Sequence, residues 1–198
     1  MHVGLFFGSF NHIHIGHTAI ANYMAEFTDL DEIWFVVSPH NPLKDKNSLL
    51  HRGERLEMVD IAIKDFPKFK SSDVEFNLPQ PSYTINTLKY LKQNFKKHTF
   101  SLIVGEDNLQ NLDKWKNYKD ILKYHKLYVY PRVGITKKKN ISHKNISPSS
   151  MQRIILTKAP VVEISSTFIR ASIKAKKDIR FFLPKKVWKY IIKNKFYK

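Results

Sequence analysis

The chain has 198 residues, no cysteine and a formal net charge of +17. This length suits one domain with a sizeable buried core. Without cysteine the chain has no disulfide and no thiolate metal site, which fits a reducing, cytoplasmic compartment. The apolar runs are shorter than a membrane span or a signal peptide needs, so we expect neither.

The positive charge has two interpretations. It fits an anionic partner such as a nucleotide, a nucleic acid or a membrane surface. It also fits a compositional bias, because the lysines are scattered along the whole chain. A nucleic-acid-binding module therefore stays open as a function class, although the chain shows no recognised nucleic-acid motif.

The first predicted element is a buried strand that leads through a glycine loop into a helix. The apolar residues 4–7 form the strand, the loop begins at Gly8, and a helical period starts near Ile15. The free N–H groups and the dipole at such a helix start attract anions. His14 and His17 lie at this start, with Gly16 allowing a close approach of the backbone. Three roles remain open for the two histidines: contact with phosphate, ordinary helix-start structure, or a metal pair.

The rest of the chain alternates strands and helices. Apolar runs predict strands at residues 32–37, 99–104 and 126–130. Two further strands are predicted within residues 69–78, around 74–76, and within residues 154–164, around 161–164. Helical periods cover residues 49–66, 85–95, 165–176 and 187–192, and the apolar residues between 109 and 122 predict short helices. Ser82 or Thr84 is expected to cap the second of these helices, and the polar residues 135–150 are expected to form an exposed loop. The alternation predicts an α/β fold with a doubly wound, mostly parallel sheet, as one domain over 1–198 with 165–198 as a small helical C-terminal portion.

The candidate binding and catalytic residues lie just after the predicted strand ends, which meet at one edge of a parallel sheet. Lys44 lies in a proline-stiffened loop, as a phosphate-binding lysine does. Asp107 either accepts from ribose hydroxyls or caps the next helix, and Trp115 either stacks on a ring or fills the core. Residues 165–167 and Arg170 form either a polyphosphate cradle or a plain N-cap with a solvated arginine.

Two segments resemble the signature of the nucleotidylyltransferase superfamily. Residues 8–17 (GSFNHIHIGH) match its glycine loop with an (H/T)xGH element, and residues 164–170 (ISSTFIR) match its late ISSTxxR element. Three further features are similar to bacterial nicotinate-nucleotide adenylyltransferases: residues 81–84 (PSYT) before a helix, residues 105–107 (GED) followed by Trp115, and the aromatic ending at 187–197. The resemblance spans nearly the whole chain and implies a Rossmann-like fold.

The resemblance also implies an activity and a set of site residues. The activity is adenylyl transfer from ATP to nicotinate mononucleotide, with Mg²⁺ carried mainly on the ATP phosphates. The catalytic residues would be His14, His17, Lys44 and Arg170. The ATP-binding residues would be Gly8, Ser9, Phe10, His14, Gly16, His17, Gly105, Asp107, Ser165, Ser166, Thr167 and Arg170. The mononucleotide-binding residues would be Ser9, Lys44, Tyr83, Thr84, Trp115 and Arg132.

The sequence departs from the family pattern at two adjacent positions and leaves some questions open. Asn11 stands where the family often has aspartate, and His12 stands where it usually has proline. The resemblance leaves open another transferase of the superfamily, acting for example on nicotinamide mononucleotide or phosphopantetheine, and a non-catalytic nucleotide-binding protein. A homo-oligomer is also compatible with the sequence.

Overall fold

The computed structural model describes residues 1–39, 49–134 and 147–197, and strands alternate with helices along these ranges. The strands are β1 (His2–Gly8), β2 (Glu32–Val37), β3 (Phe69–Ser72), β4 (Thr99–Gly105), β5 (Leu127–Tyr130) and β6 (Ile154–Leu156). The helices are α1 (Ile15–Phe27), α2 (Arg52–Ile63), α3 (Thr84–Asn94), α4 (Glu106–Gln110), α5 (Tyr118–Tyr124), α6 (Pro148–Met151), α7 (Ser166–Lys174) and α8 (Lys185–Lys193). Short 3-10 turns lie at Val74–Phe76, Leu112–Lys114 and Arg180–Phe182.

All six strands form one sheet in the order β3-β2-β1-β4-β5-β6, and every pairing is parallel. The strand order reverses between β1 and β4, which lie side by side at the centre with Leu5 opposite Leu102. Such a reversal opens a crevice beyond the carboxyl ends of the two central strands. The fold class predicted from the sequence is confirmed, and the loop after Gly8 lies at this crevice.

The two faces of the sheet are covered by different helices. Successive residues of β1 point to opposite faces, so that Phe6 joins one apolar cluster and Leu5 the other. The first cluster contains buried residues of α1, α2, α7 and α8, and the second contains buried residues of α3, α4 and α5. The C-terminal helices α7 and α8 therefore pack on the same face of the sheet as α1, beside the start of the chain.

The strand predicted within residues 69–78 is present, but its predicted centre at 74–76 is wrong. The strand in this region is β3, and residues 74–76 form a 3-10 turn in which the Glu75 side chain is buried. β3 lies at the edge of the sheet and pairs only with β2, from Phe69 to Ser72. Because its own sequence, FKSS, carries no apolar run, its position is set by pairing with β2.

Two other local predictions need correction. The strand predicted within residues 154–164 is β6, at the opposite edge, but its predicted centre is wrong: residues 161–164 form no ladder and lead into α7, with Val162 and Ile164 lining a cavity. The start of α3 is not capped by Ser82 or Thr84. Tyr83 occupies the N-cap position without a capping hydrogen bond from its side chain, and the Ser82 hydroxyl donates to Glu75 instead.

The remaining predicted helices and strands are confirmed with small changes at their ends, the largest being α2, which covers only Arg52–Ile63 of the predicted residues 49–66. Most of the exposed loop predicted at residues 135–150 lies outside the described residues, and residues 148–150 belong to α6. Within the described ranges, no helix has the combination of length and apolar character that crossing a bilayer requires.

Candidate functional site

A cavity of about 370 Å³ lies beyond the carboxyl end of β1. It is bordered by the loop after β1, the start of α1, the end of β5 and the start of α7. Its lining residues are Ser9, Asn11, His14, Gly16, His17, Ile20, Leu49, Tyr130, Arg132, Val162, Ile164, Ser165, Ser166, Thr167 and Arg170. The two segments that carry the sequence motifs, residues 8–17 and 164–170, thus face one another across a single space, although 147 positions separate His17 from Ile164.

The rings of His14 and His17 stack at the start of α1. Their centroids are 3.7 Å apart and their planes differ by 24°. The backbone N–H of His14 donates to Nδ1 of His17 at 3.3 Å. Since Nδ1 acts as the acceptor, the neutral His17 ring carries its proton on Nε2, which makes Nε2 a hydrogen-bond donor.

His14 is buried and stays neutral at physiological pH. Burial lowers its pKa to about 3, and the positive charges of His12 (when protonated) and Arg132 act in the same direction. Nδ1 of His14 is buried and makes no hydrogen bond within the described residues. A Cβ at Gly16 would lie 3.0 Å from this nitrogen and 3.1 Å from Val162 Cγ1. Gly16 therefore leaves room for the His14 ring beside the cavity.

The carbonyl groups of the loop after β1 are bound by side chains from other elements. The Ser9 carbonyl accepts from Arg55 Nη1 at 2.5 Å, and the Asn11 carbonyl accepts from Arg170 Nη1 at 2.5 Å. The His12 carbonyl accepts from the Ser166 hydroxyl at 2.9 Å. These carbonyl oxygens would repel an anion if they faced it, so binding them elsewhere favours an anion in the cavity.

The two departures from the family pattern lie in this same loop. The Asn11 side-chain oxygen accepts from the Leu50 N–H at 3.1 Å and from the Tyr197 hydroxyl at 3.0 Å. His12 is fully buried, and its ring meets the Tyr197 ring edge-on at 5.5 Å. Its Nδ1 lies 3.1 Å from the Ile13 carbonyl, and burial lowers its pKa to about 4. The end of the chain thus packs against the loop after β1.

The start of α7 is built as the sequence predicts. Ser165 is the N-cap, and its hydroxyl accepts from the Phe168 N–H at 3.1 Å. Arg170 is half-buried and also donates to Thr167 Oγ1 at 3.2 Å. The alternative of a plain N-cap with a solvated arginine is therefore wrong, because the guanidinium is bound between α7 and the loop after β1.

A second charged group lies where β4 and β5 end. Asp107 is exposed in the first turn of α4, and its Oδ1 lies 3.5 Å from Arg132 Nε. Arg132 also donates through Nη2 to the Tyr130 hydroxyl at 3.1 Å, and its backbone N–H donates to Glu106. A Cβ at Gly105 would lie 3.1 Å from Arg132 Nε, so this glycine leaves room for the guanidinium. Arg132 therefore lines the same cavity as His14.

The aromatic residues expected to hold a ring lie apart from this cavity. Tyr83 is 39% exposed, and Trp115 is half-buried against the second apolar cluster. Lys116 brings the two segments together, because its Nζ lies 4.3 Å from the centroid of the Tyr83 ring. Thr84 begins α3 beside Tyr83. Lys44, the expected phosphate-binding lysine, lies outside the described residues.

Sequence reasoning missed Arg55, which is fully buried on α2 and contacts the loop after β1. A signal was present: residues 55, 59 and 63 share one helical face with a four-residue spacing, so Arg55 occupies a position on the buried face of α2. The buried carboxylate of Glu75 was missed as well. It accepts from the hydroxyls of Thr87 at 2.8 Å and Ser82 at 3.2 Å, and burial raises its pKa.

The donor set of the cavity suits phosphate oxygens. Imidazole, guanidinium and hydroxyl groups line it, together with the first turns of α1 and α7. Among the residues that the structure describes, no three histidine, aspartate or glutamate side chains converge in a way that could hold a metal ion.

Comparisons with known proteins agree with this geometry. The family model for cytidylyltransferase-like proteins matches residues 5–172. A nicotinate-nucleotide adenylyltransferase of Flavobacterium psychrophilum is 56% identical, and one of Flavobacterium johnsoniae is 55% identical, each over the full length of both chains. A solved Plasmodium falciparum nicotinic acid mononucleotide adenylyltransferase in complex with NaAD superposes with a TM-score of 0.74. It is 19% identical and covers 99% of this chain and 97% of its own.

Proposed function

The chain belongs to the nicotinate-nucleotide adenylyltransferases of the cytidylyltransferase-like family, and we propose that its cavity holds the triphosphate of ATP. The enzyme transfers the adenylyl group of ATP to nicotinate mononucleotide, which gives deamido-NAD and pyrophosphate in NAD biosynthesis. The stacked pair of His14 and His17 facing the start of α7 carries the proposal for the site. This arrangement directs hydrogen-bond donors from two helix starts into one space.

The proposed chemistry needs no protein nucleophile. A 5′-phosphate oxygen of the mononucleotide attacks the α-phosphorus of ATP in line, the new P–O bond forms, and the bond from the α-phosphorus to the bridging oxygen breaks. The electron pair leaves with pyrophosphate. Because the attacking phosphate is already an anion, the protein contributes positioning and charge stabilisation.

Each polar group of the cavity receives a role in this scheme. His17 donates from Nε2 to a phosphate oxygen, and the neutral His14 offers its unpaired ring nitrogen beside it. Arg170, from α7, and Arg132, from the segment after β5, supply positive charge to the same cavity. Ser165, Ser166 and Thr167 supply hydroxyl groups and N–H groups at the start of α7, and Lys44 adds a further positive charge from a segment outside the described residues.

The nucleoside parts of the substrates take the neighbouring surfaces. Gly8, Ser9 and Phe10 approach both nucleotides, and Gly105 with Asp107 holds the ATP ribose. Tyr83, Thr84 and Trp115 hold the pyridine ring. The exposure of Tyr83 and the half-burial of Trp115 support this assignment, because both rings keep a face that a ligand can reach.

Mg²⁺ is proposed to arrive with ATP. When it is bound, it neutralises part of the negative charge on the phosphate oxygens. The cavity fits such a complex because its own donors are N–H and hydroxyl groups, which leave the remaining phosphate oxygens to the ion and to water.

The decisive experiment follows pyrophosphate release with ATP or CTP and a panel of phosphorylated acceptors. We expect ATP with nicotinate mononucleotide to give the highest kcat/KM, ahead of nicotinamide mononucleotide and phosphopantetheine. A higher kcat/KM for another pair would move the enzyme to a different member of the superfamily. Steep salt-sensitive binding of RNA or DNA, without turnover, would instead favour the nucleic-acid-binding alternative.

A further inference from the structure

Arg55 on α2 is fully buried and donates to four backbone carbonyl groups. Its Nη1 donates to the Ser9 carbonyl at 2.5 Å and to the Ser38 carbonyl at 2.7 Å. Its Nη2 donates to the Pro39 carbonyl at 2.7 Å, and its Nε donates to the Leu50 carbonyl at 3.0 Å. One side chain therefore joins the loop after β1, the end of β2 and the segment before α2.

The guanidinium has no acidic partner in the part of the chain that the structure describes. Burial lowers the pKa of Arg55 to about 10, so the group remains protonated at neutral pH. A buried cation is costly unless it is well hydrogen-bonded, and here carbonyl dipoles supply that bonding. The result is a positive charge, stabilised by carbonyl dipoles, beneath the loop that borders the proposed triphosphate cavity.

The direction of the Ser9 carbonyl fixes the peptide that follows it. In a trans peptide the C=O and the N–H point in opposite directions. Because the Ser9 oxygen is bound by a buried guanidinium, the N–H of Phe10 is directed away from Arg55. Phe10 itself has a left-handed backbone conformation, with φ at 41°, which is uncommon for a residue with a side chain and needs support from its surroundings.

We propose that Arg55 is the positioning residue of the phosphate-binding loop. It holds the Ser9 carbonyl toward the interior and binds the loop to the segment after β2. The loop then directs its N–H groups, such as that of Phe10, toward the phosphates. This inference rests on the proposed function, because it assigns the loop to phosphate binding. Lysine cannot replace the guanidinium, since a single ammonium group cannot donate to all four of these separated carbonyl oxygens at once.

The test compares Arg55→Lys with Arg52→Lys. Arg52 is a matched control: it lies one turn away on α2, donates to the Phe76 carbonyl at 3.0 Å and has its guanidinium over the Phe76 ring. We expect Arg55→Lys to lower kcat roughly 10- to 100-fold, in line with a misplacement of bound groups. The apparent KM values should change much less, and Arg52→Lys should leave both parameters near those of the parent.

A second readout separates positioning from stability. A non-hydrolysable ATP analogue with Mg²⁺ should raise the Tm of the parent and of Arg52→Lys, and this rise should be at least halved in Arg55→Lys. A purely structural role would lower the Tm of Arg55→Lys but leave its kcat and its ligand-induced rise intact, which would overturn the proposal.

Arg55→Gln provides a second variant, because glutamine keeps two N–H donors without burying a charge. It should show the same loss of kcat and the same reduction in the Tm increase caused by the ATP analogue. Failure of both Arg55 variants to fold at 10 °C would assign the residue to the fold alone and would also overturn the proposal. If the parent binds the analogue but turns over neither mononucleotide, the proposed function fails. The increase in Tm that the analogue causes still tests the role of Arg55 in that case.

Discussion

The phosphate end and the pyridine end of the proposed site are built differently. At the phosphate end, Asn11 and His14 are each 4% exposed, and the loop carbonyls are bound by Arg55, Arg170 and Ser166. At the pyridine end, Tyr83 is 39% exposed, and a cation–π contact from Lys116 joins it to the segment of Trp115. The first region is fixed before any substrate arrives, and the second is an open surface.

This difference matches the chemistry asked of each region. Stabilisation of a transition state depends on donors that are already in place, because reorganising them during the reaction would cost part of the gain. Binding of a flat ring needs only an accessible aromatic face and a modest gain in buried area. Substitutions at the phosphate end should therefore lower turnover, whereas substitutions at the pyridine end should weaken the binding of one substrate.

The largest expected effect comes from His17→Ala. Losing one donor to the reacting phosphates should lower kcat by roughly 10²–10³, by analogy with the loss of a single oxyanion donor, while the fold survives. Steady-state kinetics together with a thermal melt measures both. Thr18→Ala is the matched control, since Thr18 lies on the same turn and its hydroxyl donates only to the Ile15 carbonyl. Near-parent turnover in a folded His17→Ala would remove His17 from the mechanism.

The phosphate end should also make the fold sensitive to acid. In the folded protein the pKa of His12 is about 4 and that of His14 about 3, both below the ordinary value of 6.5. The unfolded chain therefore binds more protons below about pH 6.5, and stability falls as the pH falls. At pH 5 the loss should be roughly 2 kcal/mol for each histidine relative to pH 8.

Urea denaturation from pH 8 to pH 5 measures this loss, and His12→Gln isolates one of the two groups. The variant should lose stability less steeply with falling pH than the parent, by a slope of about one proton. Parallel curves for the parent and His12→Gln would show that His12 does not titrate as its burial requires.

The same contrast explains what the sequence could predict. Strands β1, β2, β4 and β5 carry apolar runs because both of their faces are buried, and these runs are visible without a structure. The edge strands β3 and β6 lie within the ranges predicted to contain them but away from the predicted centres, since each is short and is located by pairing with a single neighbour. The helix starts at His14 and Ser165 were predictable from local chemistry, because glycine, histidine and hydroxyl residues mark such starts.

Long-range contacts of the site could not be predicted in this way. The Tyr197 hydroxyl donates to the side chain of Asn11, 186 positions away, and no local pattern links the two residues. Arg55 could be placed on a buried helix face, but its four carbonyl partners depend on the arrangement of three separate segments. A helix start can be predicted from the residues around it. The contacts that hold a loop through distant side chains can be identified only when the fold is known.

At the pyridine end, Trp115→Ala should raise the apparent KM for nicotinate mononucleotide about fivefold, since stacking on an aromatic ring contributes about 1 kcal/mol. The KM for ATP should change less than twofold. Tyr118→Ala is the matched control, because Tyr118 packs against the same apolar cluster. Equal changes in both KM values for Trp115→Ala, similar to those of the control, would show that Trp115 serves only the core.

The smallest expected effect tests how firmly the phosphate end is fixed. Tyr197→Phe removes the hydroxyl that donates to Asn11 Oδ1 at 3.0 Å but leaves the ring against His12. Asn11 Oδ1 keeps the Leu50 N–H as a donor, so the loss should be about 1 kcal/mol of unfolding free energy, typical of a single hydrogen bond. Because the loop stays bound through its carbonyls, kcat should fall less than about threefold.

Urea denaturation and kinetics measure the two effects, with Tyr90→Phe on the exposed side of α3 as the control. A fall in kcat as large as that of His17→Ala would mean that the end of the chain, rather than the carbonyl contacts, fixes the loop.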